Sequence, residues 1–229
     1  MQSNLKKTSK VLKIQGVTCV VLIGGESRRM GKDKASIKFL GTPLLEHVLK
    51  VVSPLFTKIF ISARDKNYAY SDDDSQVKII TDNYQGRGPL IGLESALSAS
   101  EDEWVFLLSC DLPFLSGQII RYLAELRDTK QGLSSDCILP ITDGRPQPTM
   151  ALYRKTCHKE LQKILKTNET FGLISFLRSS QSLKTLEVKE EELKKIEPSL
   201  RSFTDIDTPE ELKNTEKIMR GLQRKNEDS

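Results

Sequence analysis

Histidine is almost missing from this chain. The only two among 229 residues, His47 and His158, each fall in a stretch of helical period. That excludes a histidine-rich zinc centre, and with no nucleophile motif to accompany it a Ser-His-Asp triad is unsupported. Cysteine is scarce as well: Cys19, Cys110, Cys137 and Cys157 form no C-x-x-C pair and lie mostly in or beside apolar runs, so they read as reduced, buried packing residues. No apolar run approaches the roughly 20 residues of a membrane helix, and no hydrophobic signal region follows the lysine-bearing N-terminus. A soluble, cytoplasmic protein with no membrane partner is expected. The net charge is only +4, and part of it comes from Lys6, Lys7, Lys10 and Lys13, ahead of the apolar pattern. This argues against a nucleic-acid-binding stripe. Two common phosphate-binding fingerprints are missing too. Between Gly25 and Gly31-Lys32 stands one residue too many for a P-loop, Asp33 occupies the place of its magnesium-binding hydroxyl, and no G-x-G-x-x-G occurs.

What the chain does contain is an alternation of strand-like and helix-like segments. With 38% apolar residues it can bury one real core. Apolar runs bounded by turn residues predict strands over 17–23, 58–63, 77–81, 103–109, 136–140, 149–154, 184–188 and 203–206. Helical periodicity predicts helices over 43–53, 90–99, 116–128, 155–167, 172–179 and 209–223. The alternation implies an α/β fold of three layers, Rossmann-like, with a mainly parallel mixed sheet. Residues 1–16 read as a flexible basic arm, 17–223 as a single domain and 224–229 as a frayed tail. The last helix announces its own start: Thr208 can cap it, Pro209 suits its first turn, and Glu211 completes a Thr-x-x-Glu capping box.

The most informative stretch is LIGGESRRMGKDK, from Leu22 to Lys34. An apolar strand feeds two glycines, Gly24 and Gly25, and then a segment bearing Arg28, Arg29, Lys32 and Lys34. The glycines let backbone N–H groups approach phosphate oxygens with no Cβ in the way, and the cations supply charge. The expected ligand is a nucleoside triphosphate; the competing reading is an ordinary turn with a solvated charge run. Lys34 can fold back over the loop onto the phosphates, and Asp33 can hold a neighbouring cation in position. Right-handed crossovers place this strand beside the one ending at Ser109, which makes a topological switch point. Asp111, just past that end, then faces whatever the glycine loop holds. A carboxylate beside a triphosphate is tolerable only with a divalent cation between them, so Asp111 is a candidate Mg²⁺ ligand. An aspartate before Leu112-Pro113 also suits a plain turn or helix cap.

LIGGESRRMGKDK resembles the signature of the MobA-type molybdenum cofactor guanylyltransferases. Further blocks follow in that family's order: GRGPLIGLESAL over 86–97, SCDLPFL over 109–115, RPQPTMALY over 145–153 and FTDIDTPEEL over 203–212. The first block alone fits the wider nucleotidyltransferase superfamily, and the set points to the molybdopterin branch. The resemblance implies a nucleotidyltransferase fold and an enzyme that transfers GMP from Mg-GTP to molybdenum-bound molybdopterin, releasing pyrophosphate. GTP, molybdopterin and Mg²⁺ are thus the expected ligands, with apo-molybdoenzymes or their chaperones as further partners. It also implies nucleotide contacts at Leu22, Ile23, Gly24, Lys34, Asp82 and Asp111, with Asp111 the metal ligand; Gly25 joins them as the second glycine of the loop. Arg29 matches the family's loop arginine. A phosphate nucleophile is already ionised at neutral pH, so no general base is needed. Catalysis by Arg29, Lys34 and Asp111 reduces to positioning and charge neutralisation.

The chain departs from the family at two places. Ser62-Ala63-Arg64 stands where an asparagine commonly follows the second strand, and Asp205 and Asp207 replace the Asn-x-Asn before Thr-Pro-Glu-Glu. These two aspartates are candidate acceptor contacts. Carboxylates facing an anionic pterin phosphate are unfavourable unless metal-bridged or turned away, and the pair can instead simply shape the turn into the last helix. Other activities stay open at this point: CTP as donor, a sugar or polyol phosphate as acceptor, or a non-catalytic module that binds nucleotide and delivers cofactor.

Overall fold

The computed structural model describes residues 12–23, 26–27, 32–33, 36–63, 75–84, 88–167 and 172–227. Strand β1 (Val17–Leu22) is buried at every position, as expected of a strand covered on both faces. Its side chains divide by parity: Val17, Cys19 and Val21 enter the core on one side of the sheet, Val20 and Leu22 the core on the other. Two small hairpins follow, β2 (Glu26–Ser27) with β3 (Lys32–Asp33) and β4 (Lys38–Phe39) with β5 (Thr42–Pro43). After them come α1 (Leu44–Val52), β6 (Ile59–Ala63), β7 (Val77–Thr81), α2 (Pro89–Ala99), β8 (Trp104–Ser109), α3 (Gly117–Leu126) and the single turn α4 (Lys130–Leu133). The chain ends with β9 (Cys137–Thr142), β10 (Arg145–Pro146), β11 (Met150–Arg154), α5 (Cys157–Leu165), α6 (Leu173–Ser179), β12 (Thr185–Val188), α7 (Glu190–Ile196) and α8 (Pro209–Glu227).

The main sheet has the order β10-β9-β11-β8-β1-β6-β7, with β12 added on β9. Parallel pairing joins β7, β6, β1 and β8. β11 is antiparallel to both β8 and β9, and β12 is parallel to β9, so β9 and β12 return to the direction of β1. The carboxyl ends of β1, β6, β8, β9 and β12 therefore share one edge of the sheet. Helices α1, α3 and α7 cover one face through residues such as Val48, Leu123 and Leu193. Helices α2, α5 and α6 cover the other through Leu93, Leu161 and Phe176. This is the three-layer, mainly parallel arrangement expected. Among the described residues no helix is long and apolar enough to cross a membrane.

Several boundaries differ from expectation. Residues 203–206 are not a strand: a single 3₁₀ turn, Arg201–Phe203, leads into irregular chain whose Ile206 N–H donates to the Asp111 carbonyl at 3.2 Å. Ile206 is apolar for another reason, since it packs with Ile37, Phe39 and Leu44 in a small separate cluster. The arm predicted to reach residue 16 gives way earlier. Ile14 is 8% exposed, its N–H donates to the Leu55 carbonyl at 2.7 Å, and it bridges Phe56. At the other end α8 runs on to Glu227, past the expected fraying point. Helix α7 was not legible because its sequence, EEELKKI, buries only Leu193; it is held by a Glu190–Lys194 pair one turn apart and by the Glu192 carboxylate accepting from the Lys189 N–H.

Candidate active site

The carboxyl edge of the sheet is assembled around the junction of β1 and β8. The register pairs Leu22 with Ser109, and just beyond it the Cys110 N–H donates to the Leu22 carbonyl at 3.1 Å. This holds Ile23 and Asp111 at the mouth of the switch point that crossover handedness predicts. Asp111 is only 4% exposed. Its backbone carbonyl is tied to Ile206, so the segment before α8 is strapped across the end of β8. Gly92 allows a close approach on the other flank: a Cβ there would come within 2.6 Å of Leu22 Cδ2 and 3.0 Å of Ser62 Oγ.

Asp82 follows β7 on that same flank, with the Ser62 hydroxyl donating to its Oδ1 at 3.5 Å. The loop is fixed by its neighbour. Asn83 donates from its backbone N–H to Ser95 Oγ at 2.8 Å and from Nδ2 to Glu94 Oε2 at 3.2 Å. The buried Glu94 carboxylate meets His158 Nε2 of α5 through its other oxygen, at 2.9 Å. Ser62, the first residue of the Ser62-Ala63-Arg64 stretch, thus contacts Asp82 itself, and His158 serves as a partner for a buried carboxylate.

Two adjoining cavities open on the edge. The smaller, about 220 Å³, is lined by Ser109, Asp111, Gln147, Thr149, Asp205 and Asp207 among others. The larger, about 780 Å³, lies between the β9–β10 hairpin and the α7-to-3₁₀ segment. Gln147, Phe203 and Asp205 line both. Asp205 and Asp207 are thereby brought to the same cavity as Asp111, which spacing in the sequence does not reveal. The capping box of α8 forms as expected: the Thr208 N–H donates to Glu211 Oε2 at 2.8 Å, and the Glu211 N–H donates to Thr208 Oγ1 at 3.2 Å. The Asp207 N–H also donates to Glu211. That bond, followed by those from Thr208, holds the Glu211 carboxyl below its ordinary range.

Asp111, Asp205 and Asp207 present carboxylate oxygens, the donor type of a hard divalent cation. Among the described residues, however, no group of three His, Cys, Asp or Glu side chains is placed to hold an ion by itself. The cysteines play no nucleophilic part. All four are free and buried, and burial pushes the Cys157 thiol up to about 12 and raises Cys19 and Cys137 also. Of the remaining expected site residues, Leu22, Ile23 and Asp82 lie on the edge just described. Gly24, Gly25, Arg28, Arg29 and Lys34 lie outside the described residues.

The pattern of the MobA-like NTP transferase domain matches residues 19–184. The chain belongs to that family. As a MobA-like protein it is an enzyme of the nucleotidyltransferase class. A relative in Natranaerobius thermophilus, named "Probable molybdenum cofactor guanylyltransferase", is 30% identical over 207 residues, which are 89% of this chain and 96% of the relative. One of the same name in a Geobacillus species is 33% identical over 153 residues, 66% of this chain and 76% of its own. The crystal structure of molybdopterin-guanine dinucleotide biosynthesis protein A from Archaeoglobus fulgidus superposes with a TM-score of 0.74 at 25% identity, covering 89% of this chain and 99% of that one. In this MobA-like chain, sequence reasoning missed the Asn83–Glu94–His158 support and the two-cavity role of Gln147. Gln147 was visible only as one letter of the RPQPTMALY block.

Proposed function

We propose that this MobA-like enzyme transfers GMP from GTP to molybdenum-bound molybdopterin, giving the guanine dinucleotide cofactor and pyrophosphate. The observation that carries the reading is the burial of Asp111 at the β1–β8 switch point, in one cavity with Asp205 and Asp207. A triphosphate brought to three carboxylates demands a cation, and the oxygen-only donor set suits Mg²⁺. That ion commonly takes one or two carboxylates and completes its shell with phosphate oxygens and water. When bound, Mg²⁺ supplies Lewis-acid neutralisation of phosphate oxygens.

The protein's own residues do the rest. The Leu22–Ile23 end of β1, Asp82 and the amides of Gly24 and Gly25 receive the nucleotide, and Lys34 and Arg29 neutralise triphosphate charge. Asp111 would hold the Mg²⁺. Because the acceptor is a phosphate monoester, ionised at neutral pH, no side chain has to remove a proton. The chain instead positions two anions in line and offsets their repulsion. The names of the relatives, and the order of the five sequence blocks, support guanine and molybdopterin as the specific substrates.

The test is incubation with [α-³²P]GTP or [α-³²P]CTP, Mg²⁺, and molybdopterin with molybdate, followed by separation of labelled products. Label from GTP appearing in a pterin dinucleotide, with one pyrophosphate per transfer, is the expected result. Transfer from CTP, or to sugar phosphates in place of the pterin, would overturn it.

A further inference from the structure

Lys34 stands between β3 and β4 in the chain, so the place of the β4–β5 hairpin fixes one end of the segment that carries it. That hairpin cannot hold itself. Its strands have two residues each, and an isolated two-stranded ribbon is marginal at best in water. Its two-residue turn has positive φ at both central positions. Gly41, at φ 86°, meets this freely, but Leu40 adopts φ 51°, a left-handed conformation that is rare for so bulky a residue. Another part of the molecule has to keep Leu40 there.

That part is α8. The Leu40 N–H donates to Oε1 of half-buried Glu216 at 2.8 Å, and the other oxygen of Glu216 lies 3.9 Å from Arg220 one turn on. The Leu40 side chain packs with Leu212 and Met219 of α8 against the buried cluster of Ile37, Phe39, Leu44 and Ile206. The same cluster reaches the other side of the site. The Ile206 N–H donates to the Asp111 carbonyl, and the Phe39 ring stands edge-on to that of Phe114, in one sequence block with Asp111, at 6.4 Å. Phe39 is also held from α1, its carbonyl accepting from His47 Nε2 at 2.9 Å. The turn that follows Lys34 and the carboxylate beyond β8 are thus joined through Ile206 and α8, which lie past residue 184, where the match to the family pattern ends.

Resting on the reading above, in which Lys34 and Asp111 serve one triphosphate, we propose that Glu216 is a positioning residue for nucleotide binding. By holding the Leu40 turn it fixes the end of the segment that brings Lys34 to the triphosphate. Apolar packing alone leaves such a turn free to slide, whereas a carboxylate bonded to a backbone N–H sets its direction.

The test reads binding of a fluorescent GTP analogue in the presence of Mg²⁺, together with melting temperature, in Glu216→Ala, Glu216→Gln, Lys34→Ala and the double variant of Glu216→Ala with Lys34→Ala. Glu216→Ala should weaken nucleotide binding about five- to tenfold, the size of effects that reach a site through an intervening element. Glu216→Gln, whose amide oxygen still accepts from the Leu40 N–H, should stay close to the parent. In the Lys34→Ala background Glu216→Ala should add almost nothing, because the group it positions is gone. A lower melting temperature with nucleotide binding unmoved overturns the inference, and so does an equal weakening with and without Lys34, or an equal loss in the alanine and glutamine variants. Glu216→Asp, which keeps the charge but withdraws the oxygen, takes the place of Glu216→Ala if that variant does not fold. A wild-type protein that binds the GTP analogue but transfers nothing to molybdopterin overturns the guanylyl-transfer reading and leaves the role of Glu216 standing.

Discussion

Replacing Asp111 by asparagine keeps the shape of a side chain that is only 4% exposed and removes its charge. The fold should tolerate this, because the link to the segment before α8 runs from the Ile206 N–H to the Asp111 backbone carbonyl and does not use the side chain. Melting temperature should stay close to that of the parent, since asparagine keeps the volume and shape of the side chain. Catalysis should not hold. A unit charge about 4 Å from its partner is worth about 4 kcal/mol at an effective dielectric of about 20, and the amide oxygen of asparagine returns part of this as an ion–dipole contact. A net loss of about 3 kcal/mol corresponds to about two orders of magnitude in kcat/KM at subsaturating Mg²⁺. Pyrophosphate release measured across a Mg²⁺ titration is the assay: the variant should be slow, need more Mg²⁺, and recover in part when it is supplied. An unchanged rate and Mg²⁺ dependence would refute the metal assignment. A lower melting temperature with kcat/KM intact would return Asp111 to the role of a turn former.

Lys34→Ala should both raise KM for GTP and lower kcat, because an ammonium on the triphosphate serves ground and transition states alike; unchanged values of both would make Lys34 a surface residue. Ile14→Ala should destabilise the protein by about 2–5 kcal/mol, the range for a buried isoleucine, read as a lower denaturant midpoint at unchanged m-value, while GTP binding persists. Glu211 has a lowered folded pKa, so its contribution to the start of α8 is present above the ordinary carboxylate value of about 4.3 and is lost as pH falls through the folded value. Glu211→Gln should flatten the dependence of melting temperature on pH in that acidic window, and an identical profile would show that the capping bond does not titrate. The double replacement of Asp205 and Asp207 by asparagine should weaken the dependence of transfer on Mg²⁺ and lower the acceptor KM. A change confined to melting temperature would reduce the pair to shaping the turn before Thr208.

The centre of this fold is legible in its sequence, whereas its periphery is not, and the difference is one of contact range. The strand predicted over 17–23 needs cover on both faces, and the crossover rule alone sets it beside the strand ending at Ser109; the register of Val17–Leu22 against Trp104–Ser109 bears this out. The capping box at Thr208 and Glu211 is local, and it too was readable. Ile14, between Lys13 and Gln15, shows no period of its own because what fixes it is distant in sequence: the bridge to Phe56 and the bond to the Leu55 carbonyl. Phe203 and Ile206 look like strand positions, but one lines cavities and the other anchors a cluster with Ile37 and Leu44. The Asn83–Glu94–His158 chain joins residues from three places in sequence, so no spacing announces it.

The aspartates at 205 and 207 change meaning once their position is known. As letters they stand where the family has neutral asparagines, and they look like a liability for binding an anionic acceptor. In the fold they share a cavity of about 220 Å³ with Asp111, so any charge they carry acts at the reacting phosphates as well as on the acceptor. Three carboxylates there repel a nucleotide that arrives without its metal more strongly than one would, and they attract the metal complex by the same electrostatics. On the proposed reading this makes the chain more dependent on Mg²⁺ than a counterpart with asparagines. By the same electrostatics the site would disfavour free GTP relative to its metal complex.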